Sequence, residues 1–227
     1  MLIIGNGGLC SMKGNSYFNR KLHSLLGVIP IGAFLIEHLI TNYEAFNGGH
    51  LAFIKSVEWL NSLPLVFFLE LFGIWLPLLY HGVYGLYMAY QSRNNVTNYG
   101  FFRNWMFMLQ RITGVITFIF IVWHVFETRV QVALGNVGHS DLGVLLHESI
   151  QNPLVLTAYI VGIIAATFHF SNGLWSFMVS WGITVGPRSQ RVSTVICMGL
   201  FVVLSVMFIL AITAFADPQF AELPEGV

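Results

Sequence analysis

Four of the eight histidines lie inside long apolar stretches of the sequence, at His38, His81, His124 and His169. An ionisable side chain in the apolar layer of a membrane is costly and usually marks a functional site. An imidazole there can bind a metal ion or carry a proton. Because each of four predicted helices contains one of these histidines, we interpret them as a set of ligands rather than as isolated core residues.

The composition places those helices in a membrane. Of the 227 residues, 56% are hydrophobic and 9% are charged, and the mean hydropathy is +0.73, whereas a soluble domain has about 25% charged residues. Ten Lys and Arg balance ten Asp and Glu, which excludes the basic field of a nucleic-acid-binding protein. Cys10 and Cys197 form no C-x-x-C pattern, so a disulfide scaffold, a zinc ribbon and covalently attached haem are disfavoured.

The sequence contains five apolar segments long enough to cross a hydrocarbon core, which takes about 20 helical residues. We expect an all-α membrane protein in which residues 1–227 form one transmembrane domain. The first four helices are expected to form a four-helix bundle that carries the histidines, and the fifth to serve for packing. The predicted helices cover about 22–43, 65–91, 105–126, 154–181 and 192–216.

The positions of the charged residues predict the orientation. Short loops rich in Lys and Arg stay in the cytoplasm, and eight of the ten cations lie before the first helix or in the second and fourth connections and their flanks. Most acids lie in the other connections and in the tail. We therefore expect a multi-pass protein of the cell membrane with its N-terminus in the cytoplasm and its C-terminus outside. The eight cations are Lys13, Arg20, Lys21, Arg93, Arg103, Arg111, Arg188 and Arg191.

The first eleven residues have no positive region, and their apolar run is too short for a signal peptide. We expect Met12 to be the true start.

The four histidines fall at two depths. Counted at 1.5 Å per residue from the predicted outer boundary, His38 and His124 lie roughly 9 Å and 5 Å deep, whereas His81 and His169 lie roughly 26 Å and 24 Å deep. Two imidazole pairs, each drawn from two helices, are what two edge-on haem b groups need. Zinc would want three or four converging ligands. Two axial histidines leave iron no open position, so such a site carries single electrons.

Other residues near the predicted sites allow two interpretations. Arg20, Ser24, Gln110, Arg111 and Arg188 could bind haem propionates or a quinone, or could simply anchor the cytoplasmic side. The glycines near the ligands could give a porphyrin room or could serve ordinary helix packing. These glycines are Gly82, Gly85 and Gly173.

Several strings resemble one known family, the five-helix di-haem cytochrome b anchor of succinate dehydrogenase of the Bacillus type. The similarity runs from about residue 13 to 215 and also favours Met12 as the start. The strings are RKLHSLLGVIP (20–30), LPLLYHGVYGLY (76–87), YGFFRNWMFMLQRITG (99–114), WHVFETR (123–129), FHFSNGLWSF (168–177) and WGITVGPRSQR (181–191).

The resemblance implies a complex with a flavoprotein and an iron–sulfur subunit on the cytoplasmic face. Electrons from succinate would pass through two haems b to a quinone, typically menaquinone, with the succinate site on another subunit. It implies that His81 and His169 hold a cytoplasmic-side haem of higher potential, and that His38 and His124 hold an outer haem of lower potential.

The family carries electrons to an outer quinone, and the sequence offers two acids at that depth. Glu37 and Glu70 both lie roughly 9 Å below the predicted outer surface. We expect one of them to exchange quinone protons, the alternative being a carboxylate that merely reaches the interface.

Thr167 stands where related epsilonproteobacterial fumarate reductases carry a proton-transferring glutamate. This difference favours succinate oxidation over the reverse reaction.

The remaining histidines are expected to have lesser roles. His23 is expected on the cytoplasmic side, facing the iron–sulfur subunit or a quinone, or simply the surface. His50, His139 and His147 are expected to be solvated in the outer connections.

Three alternative functions remain open from the sequence. The same anchor could serve quinol:fumarate reductase. A stand-alone di-haem ferric reductase would purify without soluble partners. A transporter that uses histidines as proton relays would be colourless.

Overall fold

The computed structural model describes residues 7–93 and 95–224, with side chains from Ser16 onward. These residues form helices and no strands, which confirms the predicted all-α class. Five helical stretches are long and apolar enough to cross a membrane, as predicted. The question of the true start concerns residues 1–11, of which 1–6 lie outside the described residues and the rest are described by backbone alone. The five spans are Ser16–Asn47, Val66–Gln91, Phe102–Ala133, Pro153–Ser180 and Pro187–Ala214.

In the part of the chain that the structure describes, ten α-helices and two short turns build the spans and the segments between them. In chain order they are α1 (Gly7–Val28), α2 (Pro30–Asn47), α3 (Gly49–Asn61), α4 (Val66–Glu70), a π-helical turn (Leu71–Trp75), α5 (Leu76–Gln91), α6 (Phe102–Glu127), α7 (Arg129–Ala133), α8 (Leu142–Ile150), α9 (Pro153–Ser180), α10 (Pro187–Ala214) and a 3-10 turn (Pro218–Phe220).

Prolines shape the first two spans. The first span is longer than the sequence predicts and is divided at Ile29, because α1 ends at Val28 and α2 begins at Pro30. In the second span the π-helical turn ends just before α5, which has Pro77 in its first turn. Proline has no N–H to donate to the preceding turn, and a local π-turn is one way in which membrane helices accommodate it.

The fourth and fifth spans are the most enclosed of the five. Helix α9 packs against both α6 and α10, and α10 also packs against α2, which agrees with a packing role for the fifth span. Thr167 of α9 is 1% exposed, and its Oγ1 lies 2.7 Å from Oγ of Ser205 in α10. The Thr167 side chain therefore faces the fifth span.

The two ends of the molecule differ. At one end, which we call the C-terminal end, α3 and α8 pack with the final 3-10 turn through a core that includes Phe53, Phe215 and Phe220. At the other, which we call the basic end, Lys21 bonds the carbonyl of Ser180, and the Arg103 guanidinium bonds Thr194.

Two histidines of the C-terminal end bind the main chain of the last residues. His50 is 2% exposed, and its Nδ1 donates to the Gln219 carbonyl at 3.0 Å. His147 Nδ1 donates to the Phe215 carbonyl at 2.7 Å. The prediction of a solvated side chain is wrong for His50, because the sequence does not reveal that the chain folds back here. His147 is partly exposed, and His139 is exposed as expected.

The packing of the C-terminal end gives a stability prediction. Phe220 is fully buried against Phe215 and the His50 ring, so Phe220→Ala should cost about 3–5 kcal/mol of local stability. The matched control is Phe67→Ala, because Phe67 is 65% exposed. Thermal unfolding of the purified protein in detergent should show a lower midpoint for Phe220→Ala only. Equal midpoints for the two variants would contradict the packing described.

Candidate functional site

The structure brings the four intramembrane histidines together as two pairs. His38 of α2 and His124 of α6 have ring centroids 5.9 Å apart, with an angle of 73° between the rings. His81 of α5 and His169 of α9 have centroids 6.1 Å apart, with an angle of 82°. Each pair is therefore drawn from two different spans, and the first pair lies nearer the C-terminal end.

These separations suit a metal ion held between two imidazoles. A metal–imidazole bond measures about 2 Å and the ring centroid lies roughly 1 Å beyond the nitrogen, so two rings on opposite sides of one ion have centroids roughly 6 Å apart. Rotation of either ring about that axis leaves the distance unchanged. Within residues 7–93 and 95–224, no three His, Cys, Asp or Glu side chains are placed to hold a metal ion together. The donor set therefore fits haem iron better than zinc.

The distance between the two pairs follows from the residues that separate them along helix α6. Gln110 of α6 contacts His169, with its Nε2 3.2 Å from the His169 Nδ1, and His124 lies fourteen residues further along the same helix. At 1.5 Å per residue the two levels are roughly 21 Å apart.

Main-chain carbonyls orient the pair near the basic end. His81 Nδ1 donates to the His23 carbonyl at 2.9 Å, and His169 Nδ1 donates to the Gln110 carbonyl at 3.0 Å. A neutral imidazole carries one proton, and in both rings it sits on Nδ1, so that Nε2 presents its lone pair. Metal-bound histidines commonly hold the second ring nitrogen in this way.

The Gln110 side chain supports His169 a second time. Its Nε2 donates to the His169 carbonyl at 2.9 Å, and its Oε1 accepts from Asn172 Nδ2 at 2.7 Å. Gln110 therefore joins α6 to α9 beside the ligand. The sequence offered Gln110 only as a propionate or anchoring group, and Asn172 was not singled out.

Two glycines let the rings near the basic end approach neighbouring backbone. A Cβ added at Gly27 would lie 2.3 Å from Cε1 of His81, and one at Gly114 would lie 2.8 Å from Cε1 of His169. Neither position could carry a larger residue without displacing a ring. The three glycines discussed from the sequence instead lie against the side chains of Phe118, His23 and Gln110, which favours their interpretation as packing residues.

His23 lies directly on one of the paired rings. Its ring stacks on His81 with centroids 3.9 Å apart and an angle of 7° between the planes. This histidine therefore belongs to the surroundings of the His81 and His169 pair rather than to the exposed surface.

Side chains orient the pair near the C-terminal end. His124 Nδ1 lies 3.2 Å from the Tyr159 hydroxyl, and that hydroxyl donates to Glu127 Oε2 at 3.1 Å. His38 has a different neighbour, because its Nδ1 lies 3.4 Å from Nδ2 of Asn42, an amide that donates to the His38 carbonyl at 2.8 Å. The contact of Tyr159 with His124 is not predicted from the sequence. The available signal is Glu127, an acid one helical turn after His124 that also bonds Tyr159.

The two acids proposed for quinone chemistry are both half-buried and both have partners. Glu37 Oε1 accepts from the Thr41 hydroxyl at 2.7 Å, one turn along α2. Glu70 Oε2 forms an ion pair of 2.8 Å with Arg129, which joins the second span to the third. Glu70 is the last residue of α4, directly before the π-helical turn.

The candidate propionate contacts other than Gln110 are four residues of the basic end. Arg20 and Arg188 are exposed. Ser24 is partly buried and accepts from Trp181 Nε1 at 3.1 Å. The partly buried Arg111 has its guanidinium 3.8 Å from the Phe107 ring centroid. Their place at one end suits anion binding.

Comparison with known proteins identifies the family to which the chain belongs. Residues 90–208 match the family model of the succinate dehydrogenase/fumarate reductase transmembrane subunit. The chain is also 50% identical over 205 residues to the succinate dehydrogenase cytochrome b558 subunit of Bacillus subtilis (strain 168), an alignment that covers 90% of this chain and all of that relative. The chain therefore belongs to the family of succinate dehydrogenase/fumarate reductase transmembrane subunits.

Proposed function

We propose that the chain is the di-haem b membrane anchor of succinate dehydrogenase and delivers electrons from an iron–sulfur subunit to menaquinone. This proposal rests on the two histidine pairs, because each has the ring separation that one shared metal ion requires. The 50% identical relative is named a cytochrome b558 subunit, which supports haem b as the group bound.

The residues that would hold the two haems are His81 with His169 and His38 with His124. Haem b held by two imidazoles supplies a one-electron carrier with no open position for another ligand. The chain contributes the orientation of the rings, since the Nδ1 atoms of His81, His124 and His169 are all engaged by neighbouring groups. It also contributes the apolar spans, which keep water from the sites.

The distribution of charge supports the proposed orientation. The basic end would face the cytoplasm, as the positive-inside rule requires. Exposed aromatic side chains also collect at this end, among them Tyr90, Tyr99 and Phe101. We assign this surface to the flavoprotein and iron–sulfur partners, which would deliver electrons next to the His81 and His169 pair. Arg20, Ser24, Arg111 and Arg188 would then lie on the side of the haem propionates.

The quinone would react at the opposite side, close to the His38 and His124 pair. Reduction of a quinone consumes protons as well as electrons, so the site needs a group that can pass protons. Glu37 lies next to His38 in sequence, and among the described residues its hydrogen-bond partner is Thr41, whereas Glu70 forms an ion pair with Arg129. We propose that one of these acids exchanges the protons. The contact with Arg129 makes Glu70 the more restrained of the two.

The direction of the reaction is proposed from Thr167. A hydroxyl buried against Ser205 provides no carboxylate to carry protons across the membrane at that level. Electron transfer toward an outer menaquinone with help from the membrane potential, that is, succinate oxidation, fits this chain better than fumarate reduction.

The haem assignment predicts which b-type component each histidine variant loses. His81→Ala and His169→Ala should each remove one b-type component, because each takes away one of two axial ligands, and His38→Ala and His124→Ala should each remove the other. The exposed His139→Ala is the control and should retain both. The measurement is an optical spectrum of the membrane complex during redox titration, with succinate as reductant. Loss of the same component from His81→Ala and His124→Ala would contradict the pairing.

The acid assignment predicts a selective loss of quinone reduction. Glu37→Gln or Glu70→Gln should lower succinate:menaquinone activity at least tenfold, because the amide passes no proton, while succinate oxidation by a soluble dye continues. Glu58→Gln is the control, since Glu58 is exposed on α3. Full quinone activity in both variants would exclude these acids as the proton-exchanging groups.

The orientation predicts which loops can be labelled from outside. In a chain whose two native cysteines are replaced by serine, His139→Cys should react with a membrane-impermeant maleimide on intact cells. Asn98→Cys, in the connection after α5, should react only after detergent permeabilisation. The opposite pattern would show that the basic end faces outward.

A further inference from the structure

We propose that Tyr159 and Glu127 form a hydrogen-bonded relay that sets the redox potential of the haem held by His38 and His124. The inference rests on the proposed function, and it concerns positioning residues that act through His124. The pair near the basic end, which would hold the inner haem, has no comparable chain to a carboxylate among the described residues, since His81 and His169 donate to main-chain carbonyls.

The relay runs from the ligand to a carboxylate in two steps. The His124 Nδ1–H donates to the Tyr159 hydroxyl at 3.2 Å, which in turn donates to Glu127 Oε2 at 3.1 Å. The other oxygen of Glu127 accepts from the Ser149 hydroxyl at 2.8 Å. Each donor in this chain thus has an acceptor, and the chain ends on a charged group held from both sides.

The surroundings of Tyr159 strengthen these bonds. Tyr159 is 3% exposed, and its ring packs edge-on against Phe120 and Trp123, with centroids 5.6 Å and 5.0 Å away. Hydrogen bonds that are shielded from water are electrostatically stronger and polarise one another along a chain. The partly buried Glu127 carboxylate is therefore linked to the His124 ring through a hydroxyl that is shielded from water.

The electronic consequence has a definite sign. An acceptor on the second ring nitrogen makes a metal-bound imidazole a stronger donor, and a stronger donor stabilises oxidised iron more than reduced iron. The relay should therefore lower the potential of the outer haem. The neighbour of the second ligand, His38, is a donor rather than an acceptor. Asn42 Nδ2 lies 3.4 Å from the His38 Nδ1 and donates to the His38 carbonyl at 2.8 Å.

The test is redox titration of the purified holo-complex, with haem retention measured in the same samples. Tyr159→Phe keeps the ring and removes the hydroxyl, and Glu127→Gln keeps an acceptor and removes the charge. Both should raise the midpoint of the outer component, with the larger shift for Tyr159→Phe, and should leave the inner component in place. Tyr43→Phe is the matched control, because the Tyr43 ring packs on Phe46 and its hydroxyl has no hydrogen-bond partner among the described residues. It should shift neither midpoint.

The outcomes separate this proposal from the function on which it rests. A native complex that lacks two b-type components would overturn the proposed function itself. If the native complex has both, an outer midpoint that is unchanged or lowered in the variants overturns the relay alone. Should Tyr159→Phe lose its outer haem, Glu127→Gln decides by the same criterion. Loss of that haem from both variants would show that the pair holds the ligand rather than setting its potential, and would also overturn the relay.

Discussion

Polar groups inside a membrane must find partners within the protein, since the hydrocarbon layer offers none. In this chain three of the four paired imidazoles find those partners on neighbouring helices, whereas His38 lies next to Asn42 of its own helix. His81 of α5 bonds the main chain of α1, His169 of α9 bonds the main chain of α6, and His124 of α6 bonds a side chain of α9. The hydrogen bonds that orient these three rings thus also join one span to another.

The sequence predicts those features that depend on one helix at a time. A helix rises a fixed 1.5 Å per residue, so simple counting gives the number of spans and places His38 level with His124. Features that depend on how helices rotate against each other are not predicted in this way. The Tyr159 contact with His124 and the stacking of His23 on His81 are of this second kind, as is the burial of His50 beneath the returning C-terminal segment.

The two histidine pairs have different surroundings, which suits the different tasks proposed for them. Near the basic end the Nδ1 atoms of both ligands donate to carbonyls that every residue provides, and the Gln110 side chain adds a contact to His169. Near the C-terminal end His124 depends on the Tyr159 hydroxyl, and Glu37 and the Glu70–Arg129 ion pair lie close to the same end. Side-chain hydrogen bonds and an ion pair thus lie at the end where electrons would leave the chain for a quinone.

The central claim is that each histidine pair holds one haem b. The most direct test is the ratio of haem to polypeptide in the complex purified with its partners, with haem b quantified after extraction and this chain quantified by amino-acid analysis. The account predicts two haems b for each copy of the chain. A ratio of one, or a complex without haem b, would contradict it.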